Sequence, residues 1–162
     1  MKIDTPFGPL RIHGTAESVT AVVWGDGPDD DGSGGPSEVV ERAAQELTEY
    51  LAGERQAFDV PIDLGPVGGF QRGVLDLTAA IPYGQTRAYG ELAADLGEPG
   101  LVRAVGGALK HNPIAVIVPC HRVVAANGAL TGYGGGPTTG GRLDVKRALL
   151  EIERGAFQQP LF

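Results

Sequence analysis

The feature that most constrains this chain is the run IVPCHRVV at residues 117–124, which is apolar and β-branched except at its centre. Such a run predicts a buried strand, yet its middle carries Cys120, His121 and Arg122 directly after a proline. Burial of polar groups costs free energy unless they are paired. Two interpretations fit these residues: a structural cysteine beside a hydrogen-bonded core histidine, or a reactive thiol with an adjacent base.

Cys120 is the only cysteine among the 162 residues. An internal disulfide is therefore excluded, and so is a cysteine-based structural zinc site, because one thiol cannot supply the usual ligand set. We expect no metal and no cofactor. The sequence has no apolar run long enough to cross a bilayer and no signal-peptide pattern. We therefore expect a cytoplasmic protein with one free thiol and no membrane partner.

The charge is distributed unevenly along the chain. The formal net charge is −7, which taken alone argues against a nucleic-acid partner. Residues 1–70 hold four basic and thirteen acidic side chains, a balance of −9, whereas residues 71–162 hold nine and seven, a balance of +2. The second part of the chain can therefore present a basic face to a polyanion.

The first part of the sequence predicts a small sheet with one helix. Segments 3–12 and 19–24 have strand composition, and residues 26–36 predict a flexible acidic loop. Ser37 is placed to cap a helix over residues 38–51, which Gly53 ends, and residues 58–62 predict a further strand. The Gly- and Pro-rich segment 64–69 predicts a linker. We therefore divide the chain into domains at residues 1–68 and 69–162.

The second part predicts a helix-turn-helix pattern. Apolar periodicity indicates a helix over residues 70–81, then helices over 88–96 and 101–110 that are separated by Glu98-Pro99-Gly100. Thr86 is the candidate N-cap of the middle helix. Further on, the sequence predicts strands within 114–124, a turn at 125–129, a mobile glycine-rich loop at 131–141 and a last helix at 143–154, which carries Lys146 and Arg147 on one side.

The helix at residues 101–110 has an unusual composition. Gly106 and Gly107 lie in its middle, where each costs about 1 kcal/mol relative to alanine. One explanation is close packing against another helix. The other is that a bare helix, with Arg103 projecting from it, enters a groove of nucleic acid, and small side chains suit the narrow minor groove.

A nucleophilic cysteine requires a base, and the base requires an orienting group. His121 is the obvious base, but adjacent residues of a strand point to opposite faces, so contact with Cys120 requires a bend at Pro119 or a bridging water. Glu151 and Glu153 on the last helix are the candidate orienting carboxylates, and their spacing does not choose between them. A cysteine hydrolase would use the same set of side chains: a cysteine, a histidine and an acidic residue.

Four motifs in this order give the chain a resemblance to a known family. They are IPYGQTRAYGELA at residues 81–93, RAVGGA at 103–108, HNP at 111–113 and PCHRV at 119–123, followed by the last helix. With them the chain resembles the O6-alkylguanine-DNA alkyltransferases over about residues 70–153, and more weakly at residues 5–10. The resemblance favours Glu153 over Glu151.

The resemblance implies an α/β (α+β) protein in which a small N-terminal sheet-and-helix domain precedes a helix-turn-helix, winged-helix-like alkyl-acceptor domain. It implies direct-reversal DNA repair: Cys120 takes a methyl or other alkyl group from O6 of guanine in double-stranded DNA, with O4 of thymine as a second lesion. The damaged base is flipped out through the minor groove. Each monomer is expected to react once and to need no cofactor.

The resemblance also assigns residues to three groups. The catalytic residues are Cys120, held as thiolate by His121 through a water, the orienting Glu153, the bracing Asn112, and Tyr89, which assists the departing guanine. The DNA-binding residues are Arg103, Ala104, Gly106, Gly107, Lys110, Thr86 and Arg122. The substrate pocket is lined by Leu109, Val123, Tyr133 and Gly134.

Two departures from the family pattern bear on these assignments. The segment 133–141 is longer than the usual Gly-Gly turn, and Gly134 replaces the small side chain often found there. Family members that bind lesions without repairing them lack the cysteine, so Cys120 argues against that class. A lesion-binding or regulatory DNA-binding module is nevertheless the alternative to an alkyltransferase, and a cysteine hydrolase is the third class.

Overall fold

A three-stranded antiparallel sheet begins the chain. In the computed structural model, which describes residues 1–27, 35–133 and 142–155, the strands are β1 (Lys2–Thr5), β2 (Gly8–Gly14) and β3 (Val19–Trp24), in the order β1-β2-β3. Leu10, Ile12 and Val22 are buried on one face of this sheet. The two predicted strand segments are confirmed, and a turn divides the first of them into β1 and β2.

One helix covers the buried face of this sheet. Helix α1 (Glu38–Leu51) begins where the Ser37 side chain accepts a hydrogen bond from the backbone of Val40, and Gly53 follows its end with a φ of 77°. These predictions are confirmed. The strand predicted at residues 58–62 is wrong: Val19 forms only an isolated bridge there, to Ile62. Because Pro61 lacks an N–H group, the segment cannot extend a regular ladder.

The described residues of the second part contain four α-helices. They are α2 (Gly69–Ala79), α3 (Tyr89–Asp95), α4 (Val102–Lys110) and α5 (Leu143–Glu153). The predicted helix-turn-helix pair is confirmed as α3 and α4. Thr86 is not the N-cap of α3, because the chain first forms the two-residue strand β4 (Arg87–Ala88) and Ala88 takes the capping position, its N–H donating to the Glu91 carboxylate at 2.9 Å.

The strand predicted around Cys120 is wrong. Residues Cys120–Arg122 form a 3₁₀ turn, and only Val123–Val124 extends as strand β5, parallel to β4. Pro119 explains the interruption, since proline has no N–H to donate and a fixed φ. Before the turn the chain loops tightly: Ala115 bridges to Val118, and Val116 between them has a φ of 70°.

The two parts of the chain are joined by main-chain hydrogen bonds. The N–H of Val22 in β3 donates to Pro113 at 2.9 Å, and the N–H of Ala115 donates back to Val22 at 3.0 Å. One cluster of buried side chains includes residues from both parts. The segment that leads to Cys120 is therefore supported by the first sheet.

Two predicted loops fall mostly outside the described residues. The acidic loop 26–36 is described only at its ends, and the glycine-rich loop only as far as Tyr133, so Gly134 also lies outside. Across the three described ranges, no helix combines the length and the apolar character that a membrane span requires.

Candidate active site

Cys120 opens the 3₁₀ turn and is 8% exposed. Its N–H donates to the carbonyl of Val118 at 2.8 Å, and the N–H of Arg122 donates to the carbonyl of Pro119 at 2.9 Å. The chain therefore bends at Pro119-Cys120. This is the bend that contact between the thiol and the next residue requires.

The imidazole of His121 is fully buried and lies against Glu153 at the end of α5. Nε2 of His121 is 2.8 Å from Oε1 of Glu153. The other ring nitrogen, Nδ1, is buried and has no hydrogen-bond partner among the residues that the structure describes. Burial lowers the pKa of His121, although the Glu153 carboxylate acts in the opposite direction. The imidazole is therefore neutral at rest and can act as a base.

Arg122 is buried and is not available at the surface for a DNA contact. Its guanidinium is buried, donates to both carboxylate oxygens of Glu153, with Nη2–Oε1 at 2.8 Å, and donates to the carbonyl of Ile81 at 2.6 Å. The expectation of a DNA-binding Arg122 is thus wrong for a physical reason: its charge is already paired inside the protein.

Glu153 also accepts a hydrogen bond from the first part of the chain. The hydroxyl of Tyr50, in the last turn of α1, donates to Oε1 at 2.6 Å and lies 3.1 Å from Nε2 of His121. Although burial opposes ionisation, the hydrogen bonds from His121, Arg122 and Tyr50 lower the pKa of Glu153 to about 2. The carboxylate is therefore charged at all ordinary pH values.

The thiol of Cys120 is protonated at rest. Burial raises its pKa, and the hydrogen bond with Asn112 and the charge of Lys146 offset this only in part. Asn112 is itself held by donating to the carbonyl of Val118 at 2.9 Å and accepting from the N–H of Ile114 at 3.0 Å. These directions favour a resting thiol that loses its proton during attack over the expected resting thiolate.

Lys146 lies inside the protein, contrary to its expected place on the polar side of α5. It is 1% exposed, and its Nζ donates to the carbonyl of Val123 at 2.7 Å and to the hydroxyl of Tyr89 at 3.3 Å. The Tyr89 hydroxyl in turn donates to the carbonyl of Thr131 at 2.9 Å. Tyr89 and Lys146 therefore form one hydrogen-bonded group beside the strand that follows Cys120.

The described residues expected to line the substrate pocket are buried. Leu109 on α4, Val123 on β5 and Tyr133 are each less than a tenth exposed. The Tyr133 ring stands edge-on to His121, with centroids 6.4 Å apart, and its hydroxyl accepts from Nε1 of Trp24 in β3 at 3.1 Å. Gly134, the fourth expected pocket residue, lies outside the described residues.

The outer face of helix α4 has small residues between two basic side chains. Its exposed residues include Arg103, Ala104, Gly107 and Lys110, and Gly106 is half-buried. A Cβ built at either glycine meets no heavy atom of the described residues within 4 Å. Close packing against the described residues therefore does not explain the two glycines. Thr86, also expected at the DNA, is exposed and lines an open cleft with Arg147 and Arg154.

Two residues of this site were missed by sequence reasoning. For Lys146 a signal existed, because seven residues separate it from Glu153 and two helical turns put both on one face of α5. For Tyr50 there was no local signal, since its partners lie 71 and 103 residues away. No group of three or more His, Cys, Asp or Glu side chains suited to a metal ion occurs within the described part of the chain.

Two family models match the chain. The ribonuclease-like domain of 6-O-methylguanine DNA methyltransferase matches residues 1–64, and the DNA binding domain of the same family matches residues 69–155. The fold and the site define a helix-turn-helix protein with a buried cysteine beside a histidine–glutamate pair. The chain belongs to the 6-O-methylguanine DNA methyltransferase family.

Relatives match over nearly the whole length. The methylated-DNA–protein-cysteine methyltransferase of Mycobacterium tuberculosis (strain ATCC 25618 / H37Rv) is 44% identical over 164 residues, which cover 94% of this chain and 90% of the relative. That of Methanosarcina acetivorans is 43% identical over 155 residues, covering 93% and 94%. A crystal structure of Mycobacterium tuberculosis OGT in complex with DNA matches with a TM-score of 0.82 at 44% identity, covering 96% and 92% of the two chains.

Proposed function

We propose that this protein repairs alkylated DNA by transferring a methyl group, or another alkyl group, from O6 of guanine in duplex DNA to Cys120. The observation that carries the proposal is the placement of the lone, buried thiol in a turn whose next residue, His121, is paired with Glu153. The relatives that match over nearly the full chain are named methylated-DNA–protein-cysteine methyltransferases. O4 of thymine is the second proposed lesion.

The position of the proton on the His121 ring supports the role of this residue as the base. Glu153 is charged and can only accept, so Nε2 of His121 carries the proton that it shares with Oε1. Neutral imidazole then has its lone pair on Nδ1, the buried atom without a partner among the described residues. Nδ1 takes the thiol proton of Cys120, directly or through one water.

The transfer balances as a single displacement. The sulfur of Cys120 forms a bond to the alkyl carbon, the bond from that carbon to O6 breaks, and its electron pair stays on guanine. Guanine leaves as an anion, and the Tyr89 hydroxyl exchanges its acceptor, the Thr131 carbonyl, for this anion, to which it donates a hydrogen bond or a proton. The ammonium group of Lys146, whose Nζ lies 3.3 Å from the Tyr89 hydroxyl, stabilises the negative charge on guanine or, after proton transfer, on the Tyr89 oxygen. The product thioether has no leaving group that would regenerate the thiol, so each molecule reacts once.

Helix α4 is the proposed DNA-binding element. Its bare face can approach the minor groove closely, and Arg103 takes the place of the flipped guanine in the base stack. Lys110 and Ala104 contact the backbone or the groove floor from the same helix, and Thr86 approaches it from the turn before β4. Residues 69–162 form the DNA-binding and alkyl-acceptor domain, and residues 1–68 form the first domain, which supports it.

The same chemistry indicates the cellular compartment in which the protein acts. A free nucleophilic thiol and a DNA substrate require a reducing compartment that contains DNA, so we place the protein in the cytoplasm, where it acts as a monomer without a cofactor.

Intact-protein mass spectrometry after incubation with a duplex oligonucleotide containing O6-methylguanine tests the proposal. The expected result is a gain of one methyl group per molecule, located on Cys120, and no gain in Cys120→Ser. DNA binding without any gain in mass would instead support a lesion-binding or regulatory module. Continued turnover on ester or peptide substrates would support a cysteine hydrolase. Either of these results overturns the proposal.

A further inference from the structure

Tyr50 is the one side chain of the first domain that contacts the histidine–glutamate pair through a hydrogen bond in the described part of the chain. It is fully buried, its hydroxyl donates to Oε1 of Glu153 at 2.6 Å, and the same oxygen lies 3.1 Å from Nε2 of His121. The proposed transfer of the alkyl group makes no use of this hydroxyl. Burying it beside a charged carboxylate still requires an explanation.

The phenol of Tyr50 is a permanent donor in this position. Burial raises its pKa, and the charge of Glu153 raises it further. Tyr50 therefore stays protonated, and its proton points to the carboxylate. Oε1 of Glu153 consequently accepts from three side chains at once: Tyr50, His121 and Arg122.

We propose that Tyr50 is a positioning residue of the active site: its hydroxyl holds Oε1 of Glu153 against His121 and takes up part of the charge of that carboxylate. The first domain then sets the basicity of the base in the second domain. This inference rests on the proposed function, because it assigns Tyr50 a part in the same proton transfer.

The groups around His121 determine in which direction its pKa moves when the Tyr50 hydroxyl is removed. Burial and the positive charges of Arg122 and Lys146 lower the pKa of its imidazole, and Glu153 raises it. A carboxylate that loses one of its donors attracts an imidazolium more strongly. Removal of the hydroxyl therefore raises the pKa of His121. Among the described residues, the titratable and charged side chains around this network are Tyr50 from α1, Glu153 and Lys146 from α5, Cys120 and Arg122 from the turn, and Tyr83 and Tyr133 from the flanking segments.

Tyr50→Phe removes the hydroxyl and keeps the ring. Since only neutral His121 can take the thiol proton, the acidic limb of the pH profile for single-turnover methyl transfer moves to higher pH, by about half a unit to one unit. On that limb the rate falls about threefold to tenfold. Tyr83→Phe is the matched control: its ring packs edge-on to Tyr50 at 6.1 Å, but its hydroxyl donates to the carbonyl of Ile152 at 3.4 Å. Its acidic limb stays in place.

A spectroscopic readout on the unaltered protein keeps the inference testable if Tyr50→Phe folds poorly. Nitrogen NMR should show His121 protonated on Nε2 at neutral pH, and the Tyr50 hydroxyl proton should give a cross-relaxation signal to the His121 ring. An unshifted acidic limb in folded Tyr50→Phe, or the absence of that signal in the unaltered protein, overturns the inference. Failure of the unaltered protein to accept methyl overturns the proposed function instead, and the NMR experiment then still reports on Tyr50.

Discussion

Arg122 and Glu153 form a buried ion pair in which Nη2 lies 2.8 Å from Oε1 and the two side chains are 8% and 0% exposed. Arg122 also donates to the carbonyl of Ile81. Through Glu153 and Ile81, Arg122 ties the cysteine turn to the end of α5 and to the segment that follows α2. Arg122 therefore contributes to a buried network, and its neighbour His121 contacts the same carboxylate.

We expect Glu153→Gln to destabilise the fold and to slow alkyl transfer. The change leaves the Arg122 charge buried without its counter-ion, and loss of one partner of a buried pair costs about 3–5 kcal/mol. Urea unfolding measures the free energy, and single-turnover transfer measures the rate. Glu151→Gln is the matched control on the same helix, because Glu151 lines an open cleft, and it should change neither quantity by much. Equal effects of both variants would contradict the role given to the buried pair.

The free energy of unfolding should fall as the pH is lowered from neutral. The folded-state pKa of His121 lies below its ordinary value of 6.5, so the unfolded chain takes up this proton first and stability declines below about that pH. The folded-state pKa of Glu153 is about 2 against an ordinary 4.5, so its contribution is present above 4.5 and is lost as the pH falls toward 2. Glu153 accounts for about 3 kcal/mol of this loss.

Urea unfolding at a series of pH values, run in parallel on Glu153→Gln, checks this dependence. The variant should show a shallower decline between pH values of about 5 and 3, because the group responsible has been removed. Parallel curves for the two proteins would show that other carboxylates cause the acid sensitivity.

Gly107→Ala should stabilise the free protein. The residue lies in α4, and no heavy atom of the described residues comes within 4 Å of a Cβ placed there, so alanine gains about 1 kcal/mol of helix propensity without a clash against them. Gly107→Leu should fold as well but bind duplex DNA more weakly, because its side chain occupies the face proposed for the minor groove. Unfolding midpoints and fluorescence anisotropy of a labelled duplex measure the two effects. Undiminished DNA binding by Gly107→Leu would exclude this face.

Arg103→Ala should separate base flipping from chemistry. Transfer from a methylated duplex should slow at least about tenfold, because the variant lacks the side chain that we propose fills the base stack. Transfer from a free O6-alkylguanine base should be unchanged, because no flipping is needed. Arg72→Ala removes the same charge from an exposed position on α2, where Arg72 pairs with Asp76, and should leave both rates unaltered. Equal slowing on the duplex and the free base would place Arg103 in the chemistry itself.

Local patterns predicted the elements that local interactions stabilise. Helix α1 was predicted with its observed bounds from the Ser37 cap, the apolar periodicity and Gly53. The pair α3 and α4 was predicted from the break at residues 98–100. The same approach predicted a strand over residues 117–124 from their β-branched composition. This was wrong as far as Arg122, because Pro119 and the loop before it produce a turn, and only Val123–Val124 is a strand. A β-strand needs hydrogen-bonding partners from other segments of the chain, and local composition does not show whether they are available.

The sequence by itself determined the chemistry that is available: one thiol, an adjacent imidazole, two candidate carboxylates and a bare helix that bears an arginine. Only the tertiary structure decided how these groups act. It brought Tyr50 and Glu153 to His121 from 71 and 32 residues away, buried Arg122 and Lys146, and raised the pKa of Cys120. The physical reason is that burial and long-range hydrogen bonds set charge states, and both arise only when distant segments pack together.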